Sequence, residues 1–562
     1  MLRTGISLRD RWTASSRQTR TFLREPAVVM VTLGIAAALV IFVLWPIAAV
    51  LSRSFADGHG AFTLANYARF FSRSYFYGAF TNSLILGVIT TALVLFFGFA
   101  VAYVVTDLRP VGSDLLSALA RLPLVAPPFI FALALIIIGG RRGLIVTTLG
   151  VEVRLYGWPG LIIAQTISFL PLGFMMIQNV LLSLGQNLKD AGYTLGAREP
   201  RVLRTVVIPL AAPGIVKAAL LIFIMSIADF GTPMILGGGM NILASEAYLQ
   251  VVGEYNTPMA SVLCVFLLLP SLAGYAIHKY ALHGKGFVTM SSATVKGERW
   301  PAPRALRYPF VFFAWLIVAV IIVTFAVILI GAFVKTVPID LTFTLANFRH
   351  KLGLVALRNS LQYTLLAALI GSVIGTMLAY LLVRLRFMGQ SILEFISLLG
   401  FAVPGTVLGL GYILVFNRQP LLLSGTAWII ILNIAFHNLP VGLQAGMAKL
   451  NQIDPAIDEA SLSLGARTLG TFWRVTLPLM SSSFWVGFLY TFMAGMVTVS
   501  AVVFLMSPET TVASVYILLL AETGHIGTAC ALAVLLMASV AGALGLLRLI
   551  SSVTHTPGAD RN

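Results

Sequence analysis

Apolar stretches of about twenty residues, each closed by a short polar segment, recur along the whole chain, and each is long enough for a helix to cross the ~30 Å hydrocarbon layer of a bilayer. Lipid offers no hydrogen bonds to an open backbone, so each stretch is expected to be helical. Twelve spans are predicted. Six lie in the first half, with cores at 27–51, 79–105, 115–139, 160–183, 213–237 and 259–281. Six lie in the second, at 308–335, 358–383, 391–416, 425–447, 481–506 and 525–550.

The polar and turn residues between these spans repeat. Phe-Thr-Leu-Ala-Asn-Tyr from Phe62 returns as Phe-Thr-Leu-Ala-Asn-Phe from Phe343. Asn82-Ser83 returns as Asn359-Ser360, Ala102-Tyr103 as Ala379-Tyr380, Arg109 as Arg386 and Gly112 as Gly389, all at an offset of 277. Leu170-Pro171 and Leu439-Pro440 follow at 269. The expected fold is therefore an all-α membrane protein with about twelve transmembrane helices in two tandem six-helix repeats. Six is even, so both repeats face the same way, related by a pseudo-two-fold axis along the membrane normal. The boundaries read 1–26 basic tail, 27–281 first repeat, 282–307 linker, 308–551 second repeat and 552–562 tail.

Composition agrees with this class: 562 residues, 59% hydrophobic, 10% charged, mean hydropathy +0.95. The net charge of +17 reads as loop charge rather than a nucleic-acid surface. With the N-terminus inside, 26 of the 37 Lys and Arg fall in cytoplasmic segments, which supports the expectation of both termini on that side. The run that follows Arg3, Arg9, Arg11, Arg17, Arg20 and Arg24 is too long for a signal peptide and reads as a retained first helix. Cys264 and Cys530 lie in apolar runs without metal-ligand or disulfide spacing. Gly284-Lys285-Gly286 lacks the spacing and the Ser/Thr of a phosphate-binding loop, so any ATP hydrolysis belongs to another polypeptide.

The longest duplicated stretch is a polar loop on the predicted cytoplasmic side. Asp190–Pro209 and Glu459–Pro478 keep twenty positions in register at an offset of 269. Each carries an acid (Asp190, Glu459), two small residues (Ala191 and Gly192; Ala460 and Ser461), a glycine (Gly196, Gly465) and a terminal proline (Pro209, Pro478). Small residues let a short helix lie close against another surface, and the glycine can take positive φ to end it. The acid favours a helix N-terminus, and the proline suits the first turn of the next helix. The plainer alternative is a well-capped surface helix.

This loop resembles the coupling motif of permease subunits in bacterial binding-protein-dependent ABC importers, Glu-Ala-Ala, three residues, Gly, nine residues, Ile-x-Leu-Pro. The second copy is close to it; the first departs at Asp190, Gly192, Val206 and Ile208. The resemblance implies two copies of a cytoplasmic ATPase that bind ATP and Mg, one docked at each loop. It also implies a periplasmic or lipid-anchored solute-binding protein, residence in the bacterial inner membrane, no cofactor in this chain and no catalysis by it.

Asp229 is the clearest acid within an apolar span, with Gly231, Thr232 and Pro233 beside it and Thr498 and Ser500 at the matching place in the second repeat. It either lines a translocation pathway or pairs locally. His437 reads as a packing histidine with its hydrogen bonds satisfied. The wordings Ala228–Gly238, Tyr248–Asn256 and Ser500–Pro508 resemble fused ferric-iron importer permeases and their relatives for 2-aminoethylphosphonate and phosphorylated small molecules. Ferric iron is the expected cargo, with 2-aminoethylphosphonate or a sugar phosphate as the alternative. A secondary transporter would also have twelve helices, but it needs coupling charges in several spans. A scaffold would leave uptake indifferent to the loops.

Overall fold

The computed structural model describes residues 25–141, 143–153, 155–184, 186–277, 304–385 and 387–554. The arginine-rich tail, most of the 282–307 linker and Arg386 lie outside them. Ten helices in the described residues are long and apolar enough to cross a membrane. They are α1 (Pro26–Ser54), α2 (Ser74–Leu108), α3 (Phe129–Leu149), α4 (Trp158–Ser183), α5 (Glu199–Ala228), α6 (Thr257–Gly274), α7 (Arg307–Phe333), α8 (Lys351–Arg384), α9 (Ala427–Leu450) and α10 (Ile526–Leu546). The expected ninth and eleventh spans are bent pairs: Gln390–Ala402 with Gly405–Phe416 at 111°, and Thr468–Leu479 with Ser481–Val497 at 77°. Pro404 explains the first bend, since it has no N–H and disfavours a helical residue before it. Pro123, Pro127 and Pro128 likewise move the start of the third span from 115 to 129.

Compact units do not follow the tandem boundaries. One comprises Met1–Ser52, Val355–Val512 and Ala538–Asn562; the other comprises Arg53–Leu354 and Ala513–Met537. The first span of each repeat thus joins the unit built mainly from the other repeat. In the first unit, Pro46 supplies no N–H for the Phe42 carbonyl four residues before it, and a π-turn spans Val40–Leu44. Tyr412 Oη donates to that carbonyl at 2.9 Å, and the Phe42 ring stacks on Phe436 at 5.0 Å. In the second unit, Ala314 and Val318 of α7 enter the core with Val101, Tyr103, Phe174 and Ile177. Phe325 meets Phe131 edge-on at 5.7 Å.

The sequence repeats perform repeated work. Asn66 Nδ2 donates to the Ala56 carbonyl at 2.9 Å, and Asn347 Nδ2 donates to the Val334 carbonyl at 2.8 Å. The Phe-Thr-Leu-Ala-Asn segments therefore tie off the chain after α1 and α7. Asn82 Nδ2 donates to the Asn241 carbonyl at 3.1 Å, and Asn359 Nδ2 to the Thr511 carbonyl at 3.0 Å. A short hairpin of β1 (Val334–Thr336) and β2 (Asp340–Phe343) follows α7.

Backbone contact at glycine closes both bundles. A Cβ on Gly98 of α2 would stand 3.0 Å from the Phe174 nitrogen of α4. Gly375 of α8 meets the Leu443 nitrogen of α9 at 3.2 Å in the same way. Small residues at such crossings let apolar helices approach where no hydrophobic effect drives them together. Gly98→Val and Gly375→Val are expected to lower stability by about 1–3 kcal/mol, the usual cost of overpacking. The check is a lower thermal midpoint of the detergent-purified protein, with Gly98→Ala between wild type and Val.

Candidate functional site: a duplicated polar loop

Both polar loops fold alike. Helix Gln186–Thr194 and helix Ala456–Ser463 each end at a glycine with positive φ, +80° at Gly196 and +87° at Gly465. The closing bonds are those of a Schellman cap. Gly196 N–H donates to the Tyr193 carbonyl at 2.8 Å and Ala197 N–H to that of Gly192 at 3.1 Å. Gly465 donates to Leu462 at 3.0 Å and Ala466 to Ser461 at 3.2 Å. The chain then turns into a new helix at Glu199 or Thr468.

Three details differ from the sequence reading. Pro209 and Pro478 do not start a helix. Each follows a π-turn, Leu203–Val207 or Phe472–Thr476, inside a helical run that begins ten residues earlier. Asp190 sits in the middle of its short helix, whereas Glu459 lies in a first turn. Gly192 and Ser461 face their own chain: a Cβ on Gly192 would meet Val202 at 3.2 Å, and Ser461 Oγ is 2.9 Å from Thr471 Oγ1. Ala191 and Ala460 are exposed.

The outward face carries apolar residues that the acid-and-glycine pattern does not include. Leu188, Ala191 and Leu195 follow i, i+3, i+7 spacing, as do Ile457, Ala460 and Leu464 at an offset of 269. Leu195 is 87% exposed and Leu464 89%. Exposed apolar side chains thus stand in register on the two loops. Their signal was present in the sequence as apolar residues kept at one offset, Leu188 with Ile457 and Leu195 with Leu464.

The inward face is polar. Lys189, buried beside Asp190, forms an ion pair with Asp107 at the end of α2. Asp458, buried beside Glu459, pairs with Arg384 at the end of α8 at 2.6 Å. The start of the following helix is also held by a carboxylate in both loops. Buried Glu199 accepts from Tyr103 Oη and Tyr193 Oη. Burial first, then the bond to Glu199, pushes the Tyr193 phenol well above its usual range, so it remains a donor. In the second loop Thr468 replaces Glu199, and Glu25 at the head of α1 supplies the carboxylate, accepting from Thr468 N–H at 3.2 Å and from its hydroxyl.

The breaks that follow α5 and Ser481–Val497 also correspond. α5 ends at Ala228, and Asp229 takes an extended conformation before helix Gly231–Leu236. Its carboxylate accepts from Gln165 Nε2 at 3.0 Å and from Thr232 N–H at 3.4 Å. Buried Gln165 in turn accepts from Ser226 Oγ at 2.6 Å and Thr90 Oγ1 at 3.1 Å. Asp229 thus accepts hydrogen bonds from both sides of the break. Thr498 occupies the same extended position after Val497, and Ser500 lies against Gly405, where a Cβ would stand 2.2 Å from its Oγ. His437 sits on α9, but its buried Nδ1 has no hydrogen-bond partner among the described residues, so it is not the satisfied histidine expected; Cys264 and Cys530 are buried. No group of three His, Cys, Asp or Glu among the described residues is arranged to hold a metal ion.

Membrane-length helices carrying two copies of one capped loop, each with an apolar outward face, define a membrane protein with a duplicated surface element. Comparison with known proteins names the class. A family profile described as the inner membrane component of binding-protein-dependent transport systems matches residues 94–283. The chain is 32% identical over 517 residues to the ferric transport system permease protein FbpB of Actinobacillus pleuropneumoniae, covering 89% of this chain and 74% of that relative. A second ferric transport permease protein, from Haemophilus influenzae, is 32% identical over 493 residues, covering 84% of this chain and 77% of the relative. A Salmonella choleraesuis permease protein named for 2-aminoethylphosphonate transport is 24% identical over 43% of this chain. The chain belongs to the inner-membrane permease family of binding-protein-dependent transport systems.

A β-branched residue cannot hold the left-handed backbone of Gly465 without strain of about 1–2 kcal/mol. Limited proteolysis of Gly465→Val is therefore expected to cut the 456–468 segment roughly tenfold faster than wild type, since cleavage follows local opening. Gly465→Asn should cut at near the wild-type rate.

Proposed function

We propose that this chain is the membrane-spanning subunit of an ABC importer that moves ferric iron into the cell. Solute arrives on an external binding protein, periplasmic or lipid-anchored. Two copies of a separate cytoplasmic ATPase hold the ATP and Mg, one docked at each polar loop, and closure of that ATPase pair rocks the two repeats about a pseudo-two-fold axis. Both termini face the cytoplasm, the protein sits among membrane lipids, and the chain catalyses nothing itself.

The observation that carries this reading is the pair of loops sharing one Schellman cap and one exposed apolar triplet, Leu188–Ala191–Leu195 and Ile457–Ala460–Leu464. Two equivalent surfaces suit two copies of one partner. For the cargo, support comes from the two relatives named for ferric transport, which match most of the chain. The pathway is proposed to pass the paired breaks at Asp229 and Thr232 and at Thr498 and Ser500.

Leu195→Asp and Leu464→Asp each place a charge in the centre of a proposed docking surface, where anchor residues contribute about 2 kcal/mol or more. Each is expected to lower co-purification of the ATPase more than tenfold and to lower uptake of labelled ferric iron with it. Uptake unchanged in the double variant rejects the docking role. Competition by 2-aminoethylphosphonate or a sugar phosphate, in place of ferric iron, reassigns the cargo. Asp229→Ala leaves Gln165 Nε2 with only the Ser226 carbonyl, at 3.2 Å, as acceptor and is expected to impair uptake severalfold while the complex still assembles. Normal uptake kinetics make Asp229 a packing residue only.

A further inference from the structure

The buried ion pairs beneath the two loops occupy one position with reversed charge. Lys189 and Asp458 correspond at the loop offset of 269, and Asp107 and Arg384 correspond at the offset of 277 that relates α2 to α8. Each pair joins the inward face of a short loop helix to the end of a long membrane helix. Side-chain exposure is 8% and 11% for Lys189 and Asp107, and 10% for both Arg384 and Asp458. In one loop the helix carries the cation; in the other it carries the anion.

Neighbouring groups also hold the members of each pair, and the Arg384 Nε–Asp458 Oδ2 contact is ionic, without hydrogen-bond geometry. Asp107 accepts from Thr106 Oγ1 at 2.9 Å. Asp458 accepts from Thr476 Oγ1 at 2.6 Å, and Arg384 Nη2 donates to the Ile453 carbonyl at 2.8 Å, just ahead of the short helix. A buried charge deprived of its partner is strongly unfavourable, and two like charges are worse. If the first loop helix seated on α8, Lys189 would meet Arg384. If the second seated on α2, Asp458 would meet Asp107. Both wrong seatings are repulsive, which is how discrimination between similar partners is built.

We infer that Asp107–Lys189 and Arg384–Asp458 are positioning pairs of opposite polarity, which lock each loop helix to its own membrane helix and carry its displacement into that helix. The inference rests on the reading of the loops as ATPase docking sites. In a fused chain with two homologous loops, the polarity makes each seating unique. The buried link makes motion imposed on the outward leucines move α2 or α8 rather than bend the loop.

The test uses the full complex of permease, ATPase and binding protein in proteoliposomes and reads two quantities: ATPase retained, and ferric iron taken up per ATP hydrolysed. Lys189→Asp and Asp107→Lys are each expected to retain the ATPase and lower uptake per ATP roughly tenfold, as expected for breaking a buried charge pair. The double variant Asp107→Lys/Lys189→Asp is expected to recover uptake per ATP to within about threefold of wild type, because the pair is restored with the polarity of the second loop. Arg384→Asp, Asp458→Arg and their double should behave alike. Single reversals with unchanged uptake per ATP overturn the inference. So does a double that assembles yet stays as impaired as the singles, since the two side chains then act separately. Where a single reversal does not accumulate, Asp107→Asn/Lys189→Met serves instead; a lowered ratio supports the inference and an unchanged one overturns it. Wild-type complex that binds the ATPase but takes up no ferric iron rejects the cargo reading alone; the same variants are then read as transport-stimulated ATP turnover. Wild-type permease that retains no ATPase rejects the docking reading itself.

Discussion

Inside a hydrocarbon layer a backbone amide or carbonyl finds no water, so every departure from helix has to be matched by a partner from elsewhere in the protein. Much of the structure's detail follows from that requirement. Pro46 frees the Phe42 carbonyl and Tyr412 Oη meets it, which fixes α1 against the second repeat's helices. The break after α5 is held by Asp229, which accepts from Thr232 N–H in the restarted segment and is itself held by Gln165. Ser226 and Thr90 complete the set. A carboxylate at this depth is expensive, and three polar neighbours on α2, α4 and α5 make it tolerable.

The loops that leave the bundle obey a different balance. Water surrounds them, so their backbone is inexpensive to expose, and the constraint becomes order rather than satisfaction. A Schellman glycine ends each short helix, and a carboxylate holds the start of the next one. A buried ion pair fastens the helix from below. With its inward face secured, each helix can display leucine to solvent without collapsing onto the bundle. Rigid presentation lowers the ordering cost of binding a partner. The two loops reach the same form with different parts: the first keeps its carboxylate in the loop as Glu199, and the second takes Glu25 from the head of α1.

What the sequence by itself determined are the properties set by local chemistry. Apolar run length indicated ten of the twelve expected spans as single helices, because a helix is the only open-ended way to cross lipid, while the ninth and eleventh are bent pairs. Gly196 and Gly465 were legible because positive φ excludes most other residues. The repeated Asn and Pro positions showed the duplication, and the structure finds Asn66, Asn347, Asn82 and Asn359 doing paired work. Tertiary structure decided which faces meet, because such contacts join residues far apart in the chain and leave no period behind. Asp107 and Lys189 are 82 residues apart, and Tyr412 and Phe42 are 370 apart. The acids flagged in the sequence, Asp190 and Glu459, each stand one residue beyond the one that is buried and paired. A helix turns about 100° per residue, so that single step moves a side chain off the face that meets the bundle.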